Sequence, residues 1–382
     1  MKYKLYLSAL SLLSFLLFSN CNEKVEESGD SQEAFVVSNK IKSFELPAEI
    51  GHFNMQSFQD ENSFLYFFDY KTNALLIYSL ENDQLEKHFV FEMEGPNGLG
   101  GNVLGFYAES PNELYFSTGV NTILKYDGNG ILQEKLSLNT KSLEKDGASL
   151  FSNIFIKNGD DFYFAAFPMV FAWTELSPEE LTKIPNLLKY NLDEKDFIPM
   201  SYFPDEFVGT NLNKSIFPLL SKGPDGTPMI NMNFRNIYHF KDEEILSSPA
   251  AHSKFPHDPP LSSSPNMFED MPEIMRMVSY TDIYTSLIYL EDLDMMVRVA
   301  KYEDIPEGEF GPEIHIASKW GLVFLDAEFN KIGELDLEEN QFNGTYVFGN
   351  QEGIWVSTDH PDNPELSEDY LRFRLILLND DR

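Results

Sequence analysis

The segment FLYFFDYKTNALLIYSL, residues 64–80, consists of two aromatic-rich apolar stretches joined by the polar turn Lys71-Thr72-Asn73. Aromatic and β-branched residues favour strands, and a polar cluster between two such runs predicts a turn. We therefore interpret this segment as two antiparallel strands. The same layout recurs five more times, as ELYFSTGVNTILKYD (113–127), DFYFAAF (161–167) with LLKYNL (187–192), TPMINMNFRNIYHFKD (227–242), IYTSLIYLEDLDMMVRVAKY (283–302), and GIWVSTD (353–359) with YLRFRLILL (370–378).

The spacing of these six copies predicts the fold. Intervals of 49, 48, 66, 59 and 67 residues separate the marker residues Tyr66, Tyr115, Tyr163, Met229, Ile288 and Trp355. Blades of β-propellers run about 40 to 50 residues, and longer intervals predict loop insertions. We therefore expect an all-β fold, a six-bladed β-propeller over residues 36–382.

The two ends of this region are expected to meet in one blade. The last apolar stretch, LRFRLILL (371–378), would be an exposed edge strand if nothing paired with it, and such edges promote aggregation. The early stretch VVSNKIKSFEL (36–46) has the composition of a strand. We predict that it completes the same blade as the C-terminal strand.

Two insertions interrupt the repeat. SPEELTKIPNLL (177–188) predicts a short helix that Pro185 ends. Ser177 caps its first turn with Glu180, and Pro178 occupies the first helical position. The segment 249–272 is rich in proline, which disfavours regular strand or helix. We expect both insertions to reach the channel mouth of the propeller.

The N-terminus has the layout of a bacterial lipoprotein signal. Lys2 and Lys4 precede an apolar stretch of 14 residues, 5–18, which is shorter than the ~20 that a membrane-spanning helix needs. Cys21, the only cysteine, follows it where a lipobox would place the lipidated residue. We predict a signal peptide over residues 1–20, lipidation of Cys21 and a flexible acidic tether over 21–35. The alternative is an ordinary signal peptide with a coincidental cysteine.

Composition narrows the classes of partner. The formal net charge is −34, and 42% of the residues are hydrophobic, which is ample for a packed core. A surface this acidic repels nucleic acid, so we expect no nucleic-acid partner, whereas a cationic partner or divalent cations would suit it. We expect a bacterial envelope location, with lipid anchoring to the outer membrane on its periplasmic or surface face.

The chain resembles an uncharacterised family of Bacteroidota lipoproteins, the domain of unknown function 4221 type, with a TolB-like six-bladed propeller. The matching features are the lipobox, the segment EGPNGLG (94–100), the acid-rich YEDIPEGEFGPE (302–313) and the stretch KWGLVFLDAEFNKIGEL (319–335). This resemblance implies the fold and the envelope location. It implies no activity and no catalytic residues.

The candidate ligand-binding residues are His252, His257, Asp258 and Trp173. Imidazole and carboxylate are good metal ligands, but the spacing of the first three matches no standard site, and a surface loop is the simpler interpretation. Trp173, Trp320 and Trp355 could stack on sugar rings, although isolated tryptophan in β proteins is more typical of core packing. We assign no metal, no cofactor and no catalytic residue.

Two further segments have a functional and a structural interpretation. The glycines of GPNGLGG (95–101) could cradle a phosphate, but no P-loop ending follows, so a blade-to-blade turn with positive φ is favoured. Asp359-His360-Pro361-Asp362-Asn363-Pro364-Glu365 is rich in oxygen ligands for calcium. A solvated acidic turn is the favoured interpretation of that segment.

The sequence therefore predicts a non-catalytic binding or scaffolding module for an envelope protein or a glycan. The alternative is a carbohydrate-active hydrolase or lyase that uses carboxylates at the propeller channel. Carboxyl pairs such as those in Glu291-Asp292-Leu293-Asp294 do not favour the enzyme over the binding module, because a chain with 62 acidic residues contains such pairs by chance.

Overall fold

A computed structural model describes residues 34–61, 63–119, 121–168, 177–204, 218–232, 236–241, 244–254, 283–302 and 318–379. These residues form six four-stranded antiparallel sheets, the blades of a propeller. β1 (Phe35–Glu45) precedes blade 1, which contains β2 (Met55–Gln59), β3 (Phe64–Asp69), β4 (Ala74–Ser79) and β5 (Gln84–Val90). Blade 2 contains β6 (Val103–Ser110), β7 (Glu113–Thr118), β8 (Thr122–Asp127) and β9 (Leu132–Ser137).

The remaining blades follow in chain order. Blade 3 contains β10 (Ala148–Asn158), β11 (Asp161–Pro168), β12 (Pro185–Asn191) and β13 (Asp196–Tyr202). Blade 4 contains β14 (Pro218–Lys222), β15 (Pro228–Met232), β16 (Ile237–Lys241) and β17 (Glu244–Ser248). Blade 5 contains β18 (Ile283–Leu290), β19 (Met295–Tyr302), β20 (Lys319–Asp326) and β21 (Lys331–Asp336). Blade 6 contains β22 (Asn343–Asn350), β23 (Gly353–Ser357), β24 (Tyr370–Leu378) and, as its fourth strand, β1.

The predicted closure of the ring is confirmed. β1 pairs antiparallel with β24, from Phe35 opposite Leu378 to Glu45 opposite Tyr370, with one irregularity between Val37 and Ile41. The first strand of each blade contacts the first strand of the next, and β22 contacts β2 to complete the circle. The last apolar strand of the chain is therefore an inner member of its sheet and leaves no open edge.

The core lies between neighbouring blades. Where blade 6 meets blade 1, the rings of Phe44, Phe67, Tyr346 and Phe373 pack at centroid distances of 5.5 to 6.4 Å. The same junction buries Trp355 completely, and its indole nitrogen donates a hydrogen bond to Asn350 Oδ1 at 3.0 Å. These contacts follow from the aromatic-rich strands of the sequence, because each strand offers aromatic residues to the gap between two sheets.

Five of the six repeat copies supply the second and third strands of their blades, whereas the fifth does not. Residues 283–302 form β18 and β19, the first and second strands of blade 5. The stretch 319–335 supplies its third strand and most of its fourth. We expected Ile288 to occupy the same strand of its blade as the other markers. This expectation was wrong, because Ile288 lies in β18, the first strand of blade 5, whereas the other markers lie in second strands.

The helical content is small. Helix α1 spans Lys141–Lys145 and helix α2 spans Pro178–Leu181. The predicted capping pair of α2 is present, because Ser177 Oγ donates to Glu180 Oε2 at 2.7 Å and the Glu180 amide donates to Ser177 Oγ at 3.3 Å. The helix ends at Leu181, before the predicted limit at Pro185, and Pro185 begins β12, a position that proline tolerates in strands. No helix in the described ranges is both long and apolar enough to cross a membrane.

Candidate functional site

The two faces of the propeller differ in the length of their connections. Because all six blades are antiparallel and run in the same sense, the links between second and third strands and those between blades share one face. We call it the long-loop face, and its connections run from 3 to 34 residues. The other links form the short-turn face, where each connection is 2 to 5 residues long. Phe35 begins β1 opposite Leu378, at the short-turn face.

His252 lies in the longest connection of the long-loop face, which joins β17 to β18. The residues around His252 form a polar cluster on blade 5. The described members of this cluster come from the start of that connection and from the strands β19 and β21. We call the cluster the blade 5 network, and it contains His252, Ser253, Lys254, Tyr302, Lys331, Glu334 and Asp336.

A chain of hydrogen bonds runs through this network. The Lys254 amide donates to His252 Nδ1 at 3.2 Å, so the neutral ring carries its proton on Nε2. Nε2 lies 2.5 Å from the Tyr302 hydroxyl, which in turn donates to Asp336 Oδ1 at 2.8 Å. The His252 side chain is only 1% exposed, so the ring is enclosed and acts in this arrangement as a fixed link between the connection and β21.

The electrostatics of the network keep its acids ionised. Burial acts to raise the pKa of Glu334, but hydrogen bonds from Lys331 and Ser253 outweigh it and lower the pKa to about 2. Burial also opposes ionisation of Asp336, and bonds from Lys254 and Tyr302 outweigh it, so its pKa lies below the ordinary value. Burial lowers the pKa of His252 despite the nearby acids, which favours the neutral ring.

A buried arginine fixes the start of the same connection. The guanidinium of Arg298 in β19 is fully buried and donates to the carbonyl oxygens of Ala250 and Met232 at 2.9 and 2.8 Å. It also stacks on the ring of Tyr284, 3.4 Å from the centroid, and the Tyr284 hydroxyl accepts the His252 amide proton at 2.7 Å. Blades 4 and 5 therefore hold residues 250–254 rigidly where the connection leaves the propeller.

A second polar cluster lies where blade 6 meets blade 1. The carboxylate of Asp359 is fully buried, accepts the Arg372 amide proton at 3.1 Å and lies 3.5 Å from His52 Nδ1. Among the described residues, neither ring nitrogen of His52 nor Asp359 Oδ1 has a hydrogen-bond partner. The Tyr346 hydroxyl donates to the His52 carbonyl oxygen at 2.7 Å and secures the connection that carries His52.

This cluster corrects the interpretation of residues 359–365. Asp362 and Glu365 are exposed, as a solvated acidic turn requires, but Asp359 and His360 are buried. Nothing in the sequence distinguishes these two positions from the exposed ones. In the part of the chain that the structure describes, no three His, Cys, Asp or Glu side chains are grouped to hold a metal ion.

The other predicted residues have varied positions. Cys21, Trp173, His257 and Asp258 lie outside the described residues. Trp320 is buried, and a Cβ atom on Gly344 would approach its ring to 2.4 Å, so the core interpretation of this tryptophan is confirmed, as it is for Trp355.

The turn interpretation of the glycine-rich segment is also confirmed. Gly95 and Gly100 have φ values of 101° and 68°, and their segment links β5 of blade 1 to β6 of blade 2. Backbone of this kind favours glycine.

Comparison with known proteins agrees with this architecture. The family model described as Domain of unknown function (DUF4221) matches residues 33–336. The crystal structure of a DUF4221 member from Bacteroides vulgatus is 16% identical and covers 91% of this chain and 99% of its own, with a TM-score of 0.75. None of the curated proteins matches the chain.

Two other solved structures are similar at lower TM-scores. A luciferin-regenerating enzyme is 12% identical over 88% of this chain and 95% of its own, with a TM-score of 0.46. Virginiamycin B lyase from Staphylococcus aureus is 13% identical over 90% of this chain and 100% of its own, with a TM-score of 0.42.

Proposed function

The chain belongs to the DUF4221 family of six-bladed propellers, and from that premise we propose that it is a lipid-anchored binding module of the bacterial cell envelope. It holds a protein or glycan on its long-loop face. The observation that carries this proposal is the difference between the faces, because every connection longer than five residues begins and ends at the long-loop face. Binding residues concentrate on loops that a rigid scaffold positions.

The point at which the chain enters the propeller is consistent with binding at the long-loop face. Lipidation of Cys21 leaves residues 22–34, 13 residues, before β1 begins at the short-turn face. A fully extended segment of that length reaches at most about 45 Å. The chain therefore enters the propeller at the short-turn face, and the proposed anchor attaches there rather than at the long-loop face.

The charge of the long-loop face favours a basic partner. Two of its connections in blade 6, 337–342 and 358–369, carry six exposed acidic residues: Glu338, Glu339, Asp362, Glu365, Glu368 and Asp369. The whole chain has a net charge of −34, so the field around this face attracts cationic surfaces. We therefore favour a protein with a basic patch over a neutral glycan.

The state of the carboxyl groups favours binding over hydrolysis. A glycosidase needs one carboxyl group whose pKa is raised so that it can donate a proton. Four carboxyl groups instead have a lowered pKa: Glu113, Glu180, Glu334 and Asp336. Such groups accept hydrogen bonds and attract cations, which is what a basic partner requires.

The test is a pull-down of the tagged full chain from its own membranes in mild detergent, with mass spectrometry of the bound proteins. We expect a stoichiometric partner that is lost as salt rises, because exposed charges are screened within about 8 Å at physiological ionic strength. A variant in which the six exposed acids of connections 337–342 and 358–369 are replaced by the matching amides should lose the partner. A matched variant with the short turn 327–330 replaced should keep it.

The anchor is tested separately. The Cys21→Ser variant should leave the membrane fraction and still bind the partner in solution. If this variant stays with the membrane, the lipid anchor is refuted. If the variant without these six acids melts cooperatively and still recovers the partner in full, the acidic connections are refuted as the binding element.

A further inference from the structure

A pocket of about 140 Å³ lies between blades 2 and 3, and the long-loop face does not contribute to it. Its lining comes from β7, β8 and β9 of blade 2 and, in blade 3, from β10, β11, the turn between them and the turn between β12 and β13. We call it the blade 2–3 pocket. Five apolar or aromatic side chains line it, Tyr115, Ile123, Leu136, Phe162 and Leu192, together with five charged ones, Glu113, Lys125, Glu134, Lys157 and Asp160.

Hydrogen bonds fix the wall around Tyr115. Its hydroxyl donates to Glu113 Oε1, which also accepts from Lys125 Nζ at 3.0 Å. Burial acts to raise the pKa of Glu113, and the bonds from Tyr115 and Lys125 outweigh it, so this carboxylate stays charged. The ammonium groups of Lys125 and Lys157 lie 5.6 and 5.8 Å from the centroid of the Tyr115 ring. The ring and the Lys125 ammonium are therefore held in place, and the Lys157 ammonium lies beside them.

Lys157 has unused donors at this pocket. Its side chain is only 14% exposed, yet its closest acidic oxygens, Glu113 Oε1 and Glu109 Oε2, are 3.9 and 4.0 Å away. These distances exceed those of a hydrogen bond. Among the described residues, its ammonium donates no hydrogen bond, so an anionic oxygen entering the pocket would gain a charge-assisted one.

The pocket lining also contains two carboxylates, Glu134 and Asp160. Glu134 and Asp160 are exposed and form no ion pair with any other described residue. They are free to accept hydrogen bonds from an ammonium group. The lining therefore offers a cation, two carboxylates and several apolar side chains within one small pocket.

The size of the pocket limits the ligand. A dry cavity of about 150 Å³ takes one benzene molecule, so this pocket accommodates an apolar group of three to six carbons. A larger polar head must remain at the mouth, beside the charged residues. We propose that the blade 2–3 pocket binds an aliphatic α-amino acid such as leucine as its zwitterion. Lys157 receives the carboxylate, Glu134 and Asp160 receive the ammonium group, and the side chain packs against Leu136, Phe162 and Leu192.

Isothermal titration calorimetry of the purified full chain with L-leucine tests this proposal. L-Leucinamide, which lacks the carboxylate, and N-acetyl-L-leucine, which lacks the ammonium group, should each bind about tenfold more weakly, the loss expected for one charged hydrogen bond. The Lys157→Met variant should bind leucine about tenfold more weakly but leave the affinity for leucinamide unchanged.

Two variants make the location of the site testable. Leu192→Trp should abolish binding by filling the half-buried end of the pocket. The control variant Lys189→Met removes an ion pair with Asp161 in blade 3. Lys189 does not line the pocket, so this variant should bind leucine like the unmodified chain. The proposal is overturned if leucine, isoleucine and valine give no saturable heat up to about 10 mM. It is also overturned if a cooperatively melting Leu192→Trp variant binds leucine normally.

Discussion

Replacing Glu334 with glutamine should weaken the blade 5 network in a pH-dependent way. Glu334 Oε2 accepts hydrogen bonds from Lys331 Nζ at 2.5 Å and from the Ser253 amide at 2.9 Å, and Oε1 accepts one from Ser253 Oγ. These bonds lower its pKa from the ordinary 4.5 to about 2. The difference corresponds to at most about 3 kcal/mol of stability. Because the side chain is 28% exposed, solvent screening reduces our expectation to about 1–2 kcal/mol.

The sign of the pH dependence follows from the lowered pKa. The charged form of Glu334 is favoured in the folded chain, so its contribution is fully present above the ordinary pKa of 4.5 and is lost as pH falls towards 2. The difference in unfolding free energy between the unmodified chain and Glu334→Gln should therefore be constant near neutral pH and shrink between about pH 4.5 and 2.

Urea denaturation at a series of pH values measures this difference. Glu328→Gln is the matched control, because Glu328 is an exposed acid on the same blade and none of the ion pairs among the described residues includes it. Hydrogen exchange at residues 251–254 should rise in Glu334→Gln and not in the control. A stability difference that does not change with pH would refute the charged origin of the effect, and unchanged exchange would refute the role of Glu334 in holding the connection.

Two further predictions concern the packing of the propeller. Gly105→Ala should destabilise the chain by about 3 kcal/mol or more, because the new Cβ would lie 2.2 Å from the carbonyl oxygen of Asn153 in the neighbouring blade. Gly101→Ala, whose Cβ would have no atom closer than 3.9 Å, should change the urea midpoint little, and equal midpoints for the two variants would contradict this packing of β6 on β10. Phe44→Ala should cost about 3–5 kcal/mol in urea denaturation, since Phe44 is fully buried in the strand that closes blade 6. A loss below about 1 kcal/mol would indicate that β1 is dispensable.

The sequence predicted the number of blades and the closing strand because both depend on local patterns. Aromatic-rich strand pairs can be recognised wherever they occur, and the apolar stretch 371–378 required a partner. Position within a blade depends instead on pairing between strands. β18 has the aromatic and apolar composition of the second strands elsewhere, so composition alone could not show that it comes first in blade 5.

The candidate sites were less predictable because their members are far apart in the chain. Tyr302 and Asp336 lie 50 and 84 positions after His252, and only the order of strands in blade 5 brings the three together. His52 and Asp359 come from opposite ends of the chain and meet because β1 closes blade 6. The acidic composition around Asp359 favoured an exposed turn, and burial of that residue follows from the same closure.

The closure also relates the proposed anchor to the stability of the ring. If the chain is held through Cys21, any pull on the anchor is transmitted to Phe35, the first residue of β1. β1 is antiparallel to β24 and paired with it along most of its length, so tension along β1 loads many ladder hydrogen bonds at once. Bonds loaded in this way must break together, whereas a strand peeled from one end loses them singly. With the proposed anchor, attachment through the closing strand would therefore let the ring resist a pull directed along β1 without a disulfide.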